Sequence, residues 1–136
     1  MTVALKKYSE MVPYHEPSAL YAQELAKLYR SKTAQFAAIT TFLTRQFRYD
    51  YVRAITIPKK NGKPDVPRTW EKKMGICLDI ASLATGMLRA VDIDARMCVG
   101  KANRRNHAWV EAKINGKLYR YDHDGKAATY KTERYY

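Results

Sequence analysis

The sequence predicts an α+β fold, in which helical segments come first and antiparallel strands follow. Two observations carry this prediction. Between residues 18 and 90, apolar residues recur at helical spacing on both sides of one proline-rich interruption. Between residues 93 and 122, apolar and polar residues alternate, and an Asn-Gly pair interrupts the alternation, as is typical of strands joined by a hairpin.

Length and composition are those of one folded domain over residues 1–136. The chain has 136 residues, of which 46% are hydrophobic, so it can bury a hydrophobic core without disulfide or metal cross-links. No apolar run approaches the roughly 18 residues that suggest a membrane span. The N-terminus lacks the apolar core of a secretory signal, so we expect no signal peptide within this chain. The compartment and the oligomeric state stay open.

The formal net charge of +12 favours acidic partners. The basic residues are nevertheless spread along the whole chain, and none of their clusters is interleaved with aromatic residues as a nucleic-acid stacking surface would be. We therefore expect a protein or peptide partner, acidic if charge selects it, and not a nucleic acid.

The first elements are predicted from prolines, caps and apolar spacing. Residues 1–17 contain Pro13 and Pro17 and are expected to form an irregular arm. Ser18 is expected to cap a first helix over residues 19–30. The apolar stripe of that helix would consist of Leu20, Leu25, Leu28 and Tyr29.

A second helix is predicted over residues 34–47, with Thr33 as its cap. Its core-facing side chains would be Phe36, Ile39, Leu43 and Phe47. Residues 49–57 are β-branched and aromatic, which predicts an extended chain. Residues 58–69 hold three prolines and a glycine and are predicted to be a loop.

The helix that follows this loop begins at Cys77 and is predicted to run to about Ala90. Its core-facing residues would be Ile80, Leu83, Ala84, Met87 and Leu88. A strand is predicted over residues 93–100. The segments 107–114 and 117–122 then flank the Asn-Gly turn and predict a hairpin.

The hairpin register brings a histidine to a carboxylate. If Asn115 and Gly116 form the turn, His107 and Asp122 are diagonal neighbours on one face, with backbone positions roughly 7–8 Å apart. His123 would point to the opposite side. Trp109 is expected to point to the other face of its strand, as a core residue.

Cys77, His107 and Asp122 are the three parts of a thiol acyl-transfer site. A helix N-terminus and a neighbouring imidazolium both favour the thiolate, which is the reactive form. The carboxylate would hold the imidazole in one tautomer. The backbone N–H groups at the helix start would face a tetrahedral oxyanion.

The segments "GICLDIASLATGMLRAVDIDARMCVG" and "HAWVEAKINGKLYRYD" resemble the transglutaminase-like superfamily, a branch of the papain-like cysteine-protease fold. This resemblance covers about residues 74–122. It implies a helix that carries the nucleophile and packs on an antiparallel sheet. It also implies that Cys77 is the nucleophile, His107 the general base and acid, and Asp122 the orienting carboxylate.

Two details of the site stay open at this stage. "YDHD" stands where the family has Asp-Pro-Thr, so Asp124 is an alternative partner for His107, although Asp122 is preferred. Relatives take a side-chain oxyanion donor from an upstream residue, and the candidates are Gln46, Tyr49 and Trp70.

The sequence thus predicts a thiol-dependent hydrolase or acyltransferase that cleaves peptide or carboxamide bonds through a thioester. Hydrolysis is favoured, and transglutamination to an amine is the alternative. A second alternative is a basic, non-catalytic binding module with the same fold. No organic cofactor or metal is expected, because neither Cys77 nor Cys98 has metal-ligand spacing with other residues.

Overall fold

The computed structural model describes residues 8–57 and 62–136, which form five helices and six strands. The helices are α1 (Glu16–Ala26), α2 (Lys32–Gln46), α3 (Tyr51–Thr56), α4 (Val66–Lys72) and α5 (Cys77–Ala90). The strands are β1 (Arg48–Tyr49), β2 (Met74–Gly75), β3 (Asp94–Ala102), β4 (Arg105–Ile114), β5 (Lys117–Tyr121) and β6 (Tyr130–Tyr135). The predicted α+β class is confirmed.

The strands form two sheets. Four antiparallel strands have the order β5-β4-β3-β6, and β1 pairs in parallel with β2 in a separate ribbon. The hairpin has the predicted register, since Ile114 pairs with Lys117 and Val110 with Tyr121. Asn115 and Gly116 both have positive φ, as a tight two-residue turn requires.

Helix α5 packs on β3 and β4 and forms the centre of the core. The five residues predicted to face inward, Ile80, Leu83, Ala84, Met87 and Leu88, are all buried. Ala95 and Met97 of β3 and Ala108 and Val110 of β4 cover them from the sheet side. The nucleophile helix and the sheet are therefore joined by one continuous apolar interface.

The first helix differs from the prediction at its start and on its buried face. It begins at Glu16, inside the predicted arm, and His15 is the N-cap, since its side chain accepts a hydrogen bond from the Ser18 N–H. Its buried face consists of Ser18, Ala19, Ala22 and Ala26. Of the predicted stripe, Leu25 packs partly buried against the core, whereas Leu20, Leu28 and Tyr29 are exposed. Small residues instead allow close packing on α5.

The second helix begins near the predicted place, with Ser31 as its cap in place of Thr33. Ile39, Leu43 and Phe47 are buried as predicted, and Phe36 packs partly buried against the same core.

Residues 51–56 form α3, although an extended chain was predicted. Asp50 caps this helix by accepting a hydrogen bond from the Arg53 N–H at 3.0 Å. The cap outweighs the weak β propensity of the segment.

The predicted loop over residues 58–69 is wrong at its C-terminal end, because α4 begins at Val66. Asp65 caps α4, and Pro67 lies in its first turn, where a proline needs no hydrogen-bond donor. Residues 58–61 of that predicted loop lie outside the described residues, as do residues 1–7 of the predicted arm.

Strand β6 has no counterpart in the prediction. It pairs with β3 at the edge of the large sheet, and its register shifts between Val99 and Gly100. Gly100 is required there, because a Cβ at this position would lie 2.1 Å from the carbonyl oxygen of Lys131. Within residues 8–57 and 62–136, no helix is both long and apolar enough to cross a membrane.

Candidate active site

Cys77 is the first residue of α5, and the chain just before it is tightly held. Strand β2 ends at Gly75, where an added Cβ would lie 2.9 Å from both the Asp79 Cβ and the Thr69 Cγ2. The Asp50 N–H donates to the Gly75 carbonyl at 3.1 Å, which ties β1 to the helix start. The thiol of Cys77 is half-buried.

The first turn of α5 contains a buried ion pair. Asp79 is fully buried, and its two oxygens accept hydrogen bonds from Arg53 Nε at 2.6 Å and from Arg53 Nη2 at 2.9 Å. The backbone N–H groups of Ile76 and Asp65 also donate to it, at 3.0 and 2.9 Å. One carboxylate therefore joins the helix start, α3 and the segment before α4.

His107 and Asp122 are in direct contact. His107 Nε2 lies 2.9 Å from one carboxylate oxygen of Asp122 and 3.0 Å from the other. Only 15% of the His107 side chain and 5% of the Asp122 side chain are exposed. This contact is the one that the hairpin register predicts.

The pKa of His107 is set by both Asp122 and Cys77. Hydrogen bonds raise the pKa of His107 to about 10, the one with Asp122 contributing most and the one with the Cys77 side chain next, while burial opposes them. Burial acts to raise the pKa of Asp122, but hydrogen bonds from His107 and Tyr130 outweigh it, so that this pKa is lowered overall. The pair therefore favours an imidazolium beside a carboxylate.

Cys77, Asp122, Trp109 and Tyr49 line a common cavity of about 30 Å³. A larger cavity of about 560 Å³ is lined by Tyr8, Arg89 and Tyr136 and includes none of the predicted site residues. The small cavity is the relevant one, because it includes the thiol and the carboxylate together.

Trp109 is buried as predicted, but its assignment to the opposite face of β4 was wrong. Its ring stacks on the His107 ring, with the two ring centroids 6.2 Å apart and an angle of 23° between the ring planes. The two residues are separated by one position in β4, so the period of two places them on the same face.

Of the upstream candidates for an oxyanion donor, only Tyr49 lines the cavity beside Cys77. Trp70 packs among Tyr21, Phe42 and Phe47. Gln46 lines a separate surface depression between α1 and α2. Burial, followed by the nearby Cys77 charge, raises the pKa of Tyr49, so its hydroxyl stays protonated and can donate.

The "YDHD" segment contacts the site in two ways. The Asp124 N–H donates to Asp122 Oδ1 at 3.1 Å, while within the described part of the chain the Asp124 side chain makes no hydrogen bond with His107. His123 lines the same small cavity, and its Nε2 lies 3.1 Å from the Phe47 carbonyl oxygen. Asp122 is therefore the carboxylate that the structure brings to His107.

The second cysteine is separate from the site. Cys98 is fully buried in β3, and burial is the main cause that raises its pKa to about 12. Within the part of the chain that the structure describes, no cluster of three His, Cys, Asp or Glu residues could hold a metal ion.

A family model described as the transglutaminase-like superfamily matches residues 19–123. The chain belongs to that superfamily. The match includes Cys77, His107 and Asp122 and ends before β6. No curated protein matches the chain.

Solved structures share the transglutaminase-like, papain-like fold at low identity. A "Putative Cysteine Protease" from Cytophaga hutchinsonii is 22% identical, with a TM-score of 0.71 over 88% of this chain and 40% of its own. A "putative protease" from Parabacteroides distasonis is 17% identical, with a TM-score of 0.64 over 83% of this chain and 24% of its own. A "TGase" is 19% identical, with a TM-score of 0.60 over 88% of this chain and 32% of its own. The chain thus spans less than half the length of each of these structures.

Proposed function

We propose that the protein is a thiol-dependent hydrolase of peptide or carboxamide bonds, in which Cys77, His107 and Asp122 form the catalytic triad. The observation that carries this proposal is the direct contact between His107 and Asp122, together with the interaction with the Cys77 side chain that helps to raise the pKa of His107. Membership of the superfamily supports the same assignment.

In the proposed reaction, the Cys77 sulfur attacks the substrate carbonyl carbon, and the carbonyl electron pair moves onto the oxygen. The backbone N–H groups at the start of α5 and the Tyr49 hydroxyl stabilise that oxyanion. The His107 imidazolium gives its proton to the leaving nitrogen, the C–N bond breaks, and an amine departs. A thioester on Cys77 and a neutral imidazole remain.

Water then attacks the thioester carbonyl while His107 takes one of its protons. When the second tetrahedral intermediate collapses, the C–S bond breaks, the acid product leaves, and the thiolate and imidazolium are restored. Asp122 keeps the imidazole in the required tautomer throughout. Hydrolysis is proposed first because two of the similar solved structures carry protease names.

A primary amine could replace water at the second step, which would be transglutamination. Similarity to a structure named "TGase" supports this second candidate. The two reactions share the acylation step and differ only in the acceptor.

The experiment is mass spectrometry of products from a peptide pool, with and without an added primary amine. The pool should contain glutamine and acidic residues, because the charge of +12 favours acidic substrates. New peptide termini or deamidated side chains indicate hydrolysis, and incorporated amine indicates transfer.

Cys77→Ala must abolish the products in this experiment. Cys98→Ala is the matched control, because Cys98 is buried away from the cavity, and it should retain the products. Failure to form any product with the wild type would contradict the proposal and leave the non-catalytic binding module.

A further inference from the structure

We propose that Tyr130 is a fourth member of the site, a positioning residue whose hydroxyl holds the Asp122 carboxylate in the orientation that aligns His107. The inference rests on the proposed function for its effect on turnover. Tyr130 lies in β6, which is outside the residues that the family model matches.

The Asp122 carboxylate is held at both of its oxygens. The Tyr130 hydroxyl donates to Oδ2 at 2.7 Å, and the Asp124 N–H donates to Oδ1 at 3.1 Å. His107 Nε2 lies at nearly equal distances, 3.0 and 2.9 Å, from the same two oxygens. Without the Tyr130 hydroxyl, Oδ2 would keep only its contact with the histidine, and the carboxylate would be free to rotate away.

The Tyr130 ring is itself fixed on two sides. The Tyr130 and Trp109 rings meet edge to face, with their centroids 4.9 Å apart. The Arg120 guanidinium carbon lies over the Tyr130 ring, 3.9 Å from its centroid. Trp109 in turn stacks on His107. The aromatic contacts therefore orient the hydroxyl and shield the histidine–carboxylate contact from solvent, which strengthens it.

The position of Tyr130 depends on a close approach between two strands. Tyr130 pairs with Ala102 of β3, and Gly100 allows the following residues of β6 to approach the β3 backbone. Gly100 of β3 thus allows Tyr130 of β6 to reach Asp122, which follows directly after β5. Tyr130 lies outside residues 19–123, which the family model matches, so the family resemblance does not predict this contact.

The hydroxyl remains a donor over the working pH range. Burial, followed by the hydrogen bond to Asp122, raises the pKa of Tyr130 to about 12. The charged and titratable groups near the histidine–carboxylate pair come from α5, β5, the following segment and β6, and they include Cys77, Arg120, Tyr121, Asp124 and Tyr130.

The test compares Tyr130→Phe with Tyr135→Phe. The phenylalanine at 130 keeps the ring contacts and removes only the hydroxyl. Tyr135 is in the same strand, and the Arg96 guanidinium lies over its ring at 3.9 Å, but its hydroxyl makes no hydrogen bond to any residue that the structure describes. The two variants therefore lose the same atom from similar settings.

Two quantities are measured for each variant. For Tyr130→Phe we expect kcat on a peptide substrate to fall about tenfold, because one hydrogen bond to a charged group is lost, with KM within about twofold. We also expect the NMR titration of the His107 imidazole in the resting protein to move to lower pH, since a rotating carboxylate stabilises the imidazolium less. Tyr135→Phe should match the wild type in both.

A kcat for Tyr130→Phe within about twofold of wild type would overturn the inference. So would a fall in kcat that accompanies a lower unfolding midpoint and an unchanged His107 titration, because that pattern indicates a general loss of stability. If the wild type shows no turnover at all, the proposed function fails, and the His107 titration alone decides the role of Tyr130: a shift to lower pH supports it, and an unchanged or higher titration overturns it.

Discussion

Tyr49 and Cys77 line the same small cavity, and the proposed reaction assigns the Tyr49 hydroxyl to the oxyanion. We predict that Tyr49→Phe lowers kcat by about a hundredfold with little change in KM, because an oxyanion donor acts mainly in the transition state. Steady-state kinetics on a peptide substrate measure this. Tyr51→Phe is the matched control, since Tyr51 packs on Tyr49 at 4.8 Å but is 75% exposed and does not line the cavity. Equal effects of the two substitutions would contradict the assignment.

The ionised His107 also contributes to folding stability. Its pKa of about 10 in the folded protein lies above the ordinary value of about 6.5, and the hydrogen bond to Asp122 is the main cause. The stabilisation is therefore fully present below pH about 6.5 and is lost as pH rises through about 10. We predict that the free energy of unfolding falls over this range, and that the fall is smaller in Asp122→Asn.

Urea unfolding at a series of pH values measures that fall. Asp124→Asn is the control, because the Asp124 backbone, and not its side chain, makes the contact with Asp122. The explanation is wrong if Asp122→Asn leaves the pH dependence of the free energy of unfolding unchanged.

At the scale of elements, the buried Asp79–Arg53 pair fixes the start of the nucleophile helix against α3. The Asp79 side chain is 0% exposed, so Asp79→Asn leaves the Arg53 charge without its partner. We predict that this substitution lowers the free energy of unfolding by about 3 kcal/mol, measured by urea denaturation. In the control Glu24→Gln, the residue that loses its partner is the exposed Lys27, and the expected cost in the free energy of unfolding is below about 0.5 kcal/mol. Similar small costs for both would show that the pair does not anchor the helix.

Two glycines near this helix should respond oppositely to the same substitution. Gly75→Ala places a Cβ 2.9 Å from two side-chain carbons, and we predict a loss of about 1–3 kcal/mol in the free energy of unfolding. Gly86→Ala, inside α5, meets no atom closer than 3.6 Å and should gain roughly 0.5–1 kcal/mol. Thermal or urea unfolding distinguishes the two. A destabilised Gly86→Ala or a neutral Gly75→Ala would refute the packing explanation.

The secondary-structure elements that were predicted correctly are those whose apolar pattern matches the face that they bury. Helix α5 was predicted at both ends because its apolar spacing matches the face that it buries. Helices α3 and α4 were missed because each is short and is fixed by an aspartate cap, at Asp50 and Asp65, that outweighs β-branched and proline signals. The face of α1 was wrong because alanines, not leucines, allow close contact with α5.

At the scale of the whole molecule, the candidate site combines local and distant contributions. The contact between His107 and Asp122 could be predicted, because one tight turn fixes the hairpin register. The contribution of Tyr130 could not, because a strand far along the chain must first pair with β3 through a register shift at Gly100. The place of Trp109 beside His107 could also be predicted, because side chains two positions apart in a strand share a face.

The proposed reaction depends on the whole fold bringing an ionised imidazole to one sulfur atom and leaving the other sulfur inert. Cys98 is an internal reference in every sample, since it is fully buried and its pKa is raised to about 12. A single alkylation experiment can therefore compare both thiols in the same protein.

The most direct measurement is the rate of iodoacetamide alkylation at each cysteine from pH 5 to 9, followed by peptide mass spectrometry, in the wild type and His107→Ala. The proposed triad predicts rapid modification of Cys77, loss of that reactivity in His107→Ala, and no comparable reaction at Cys98. Alkylation of Cys77 at the same rate in both proteins would contradict it.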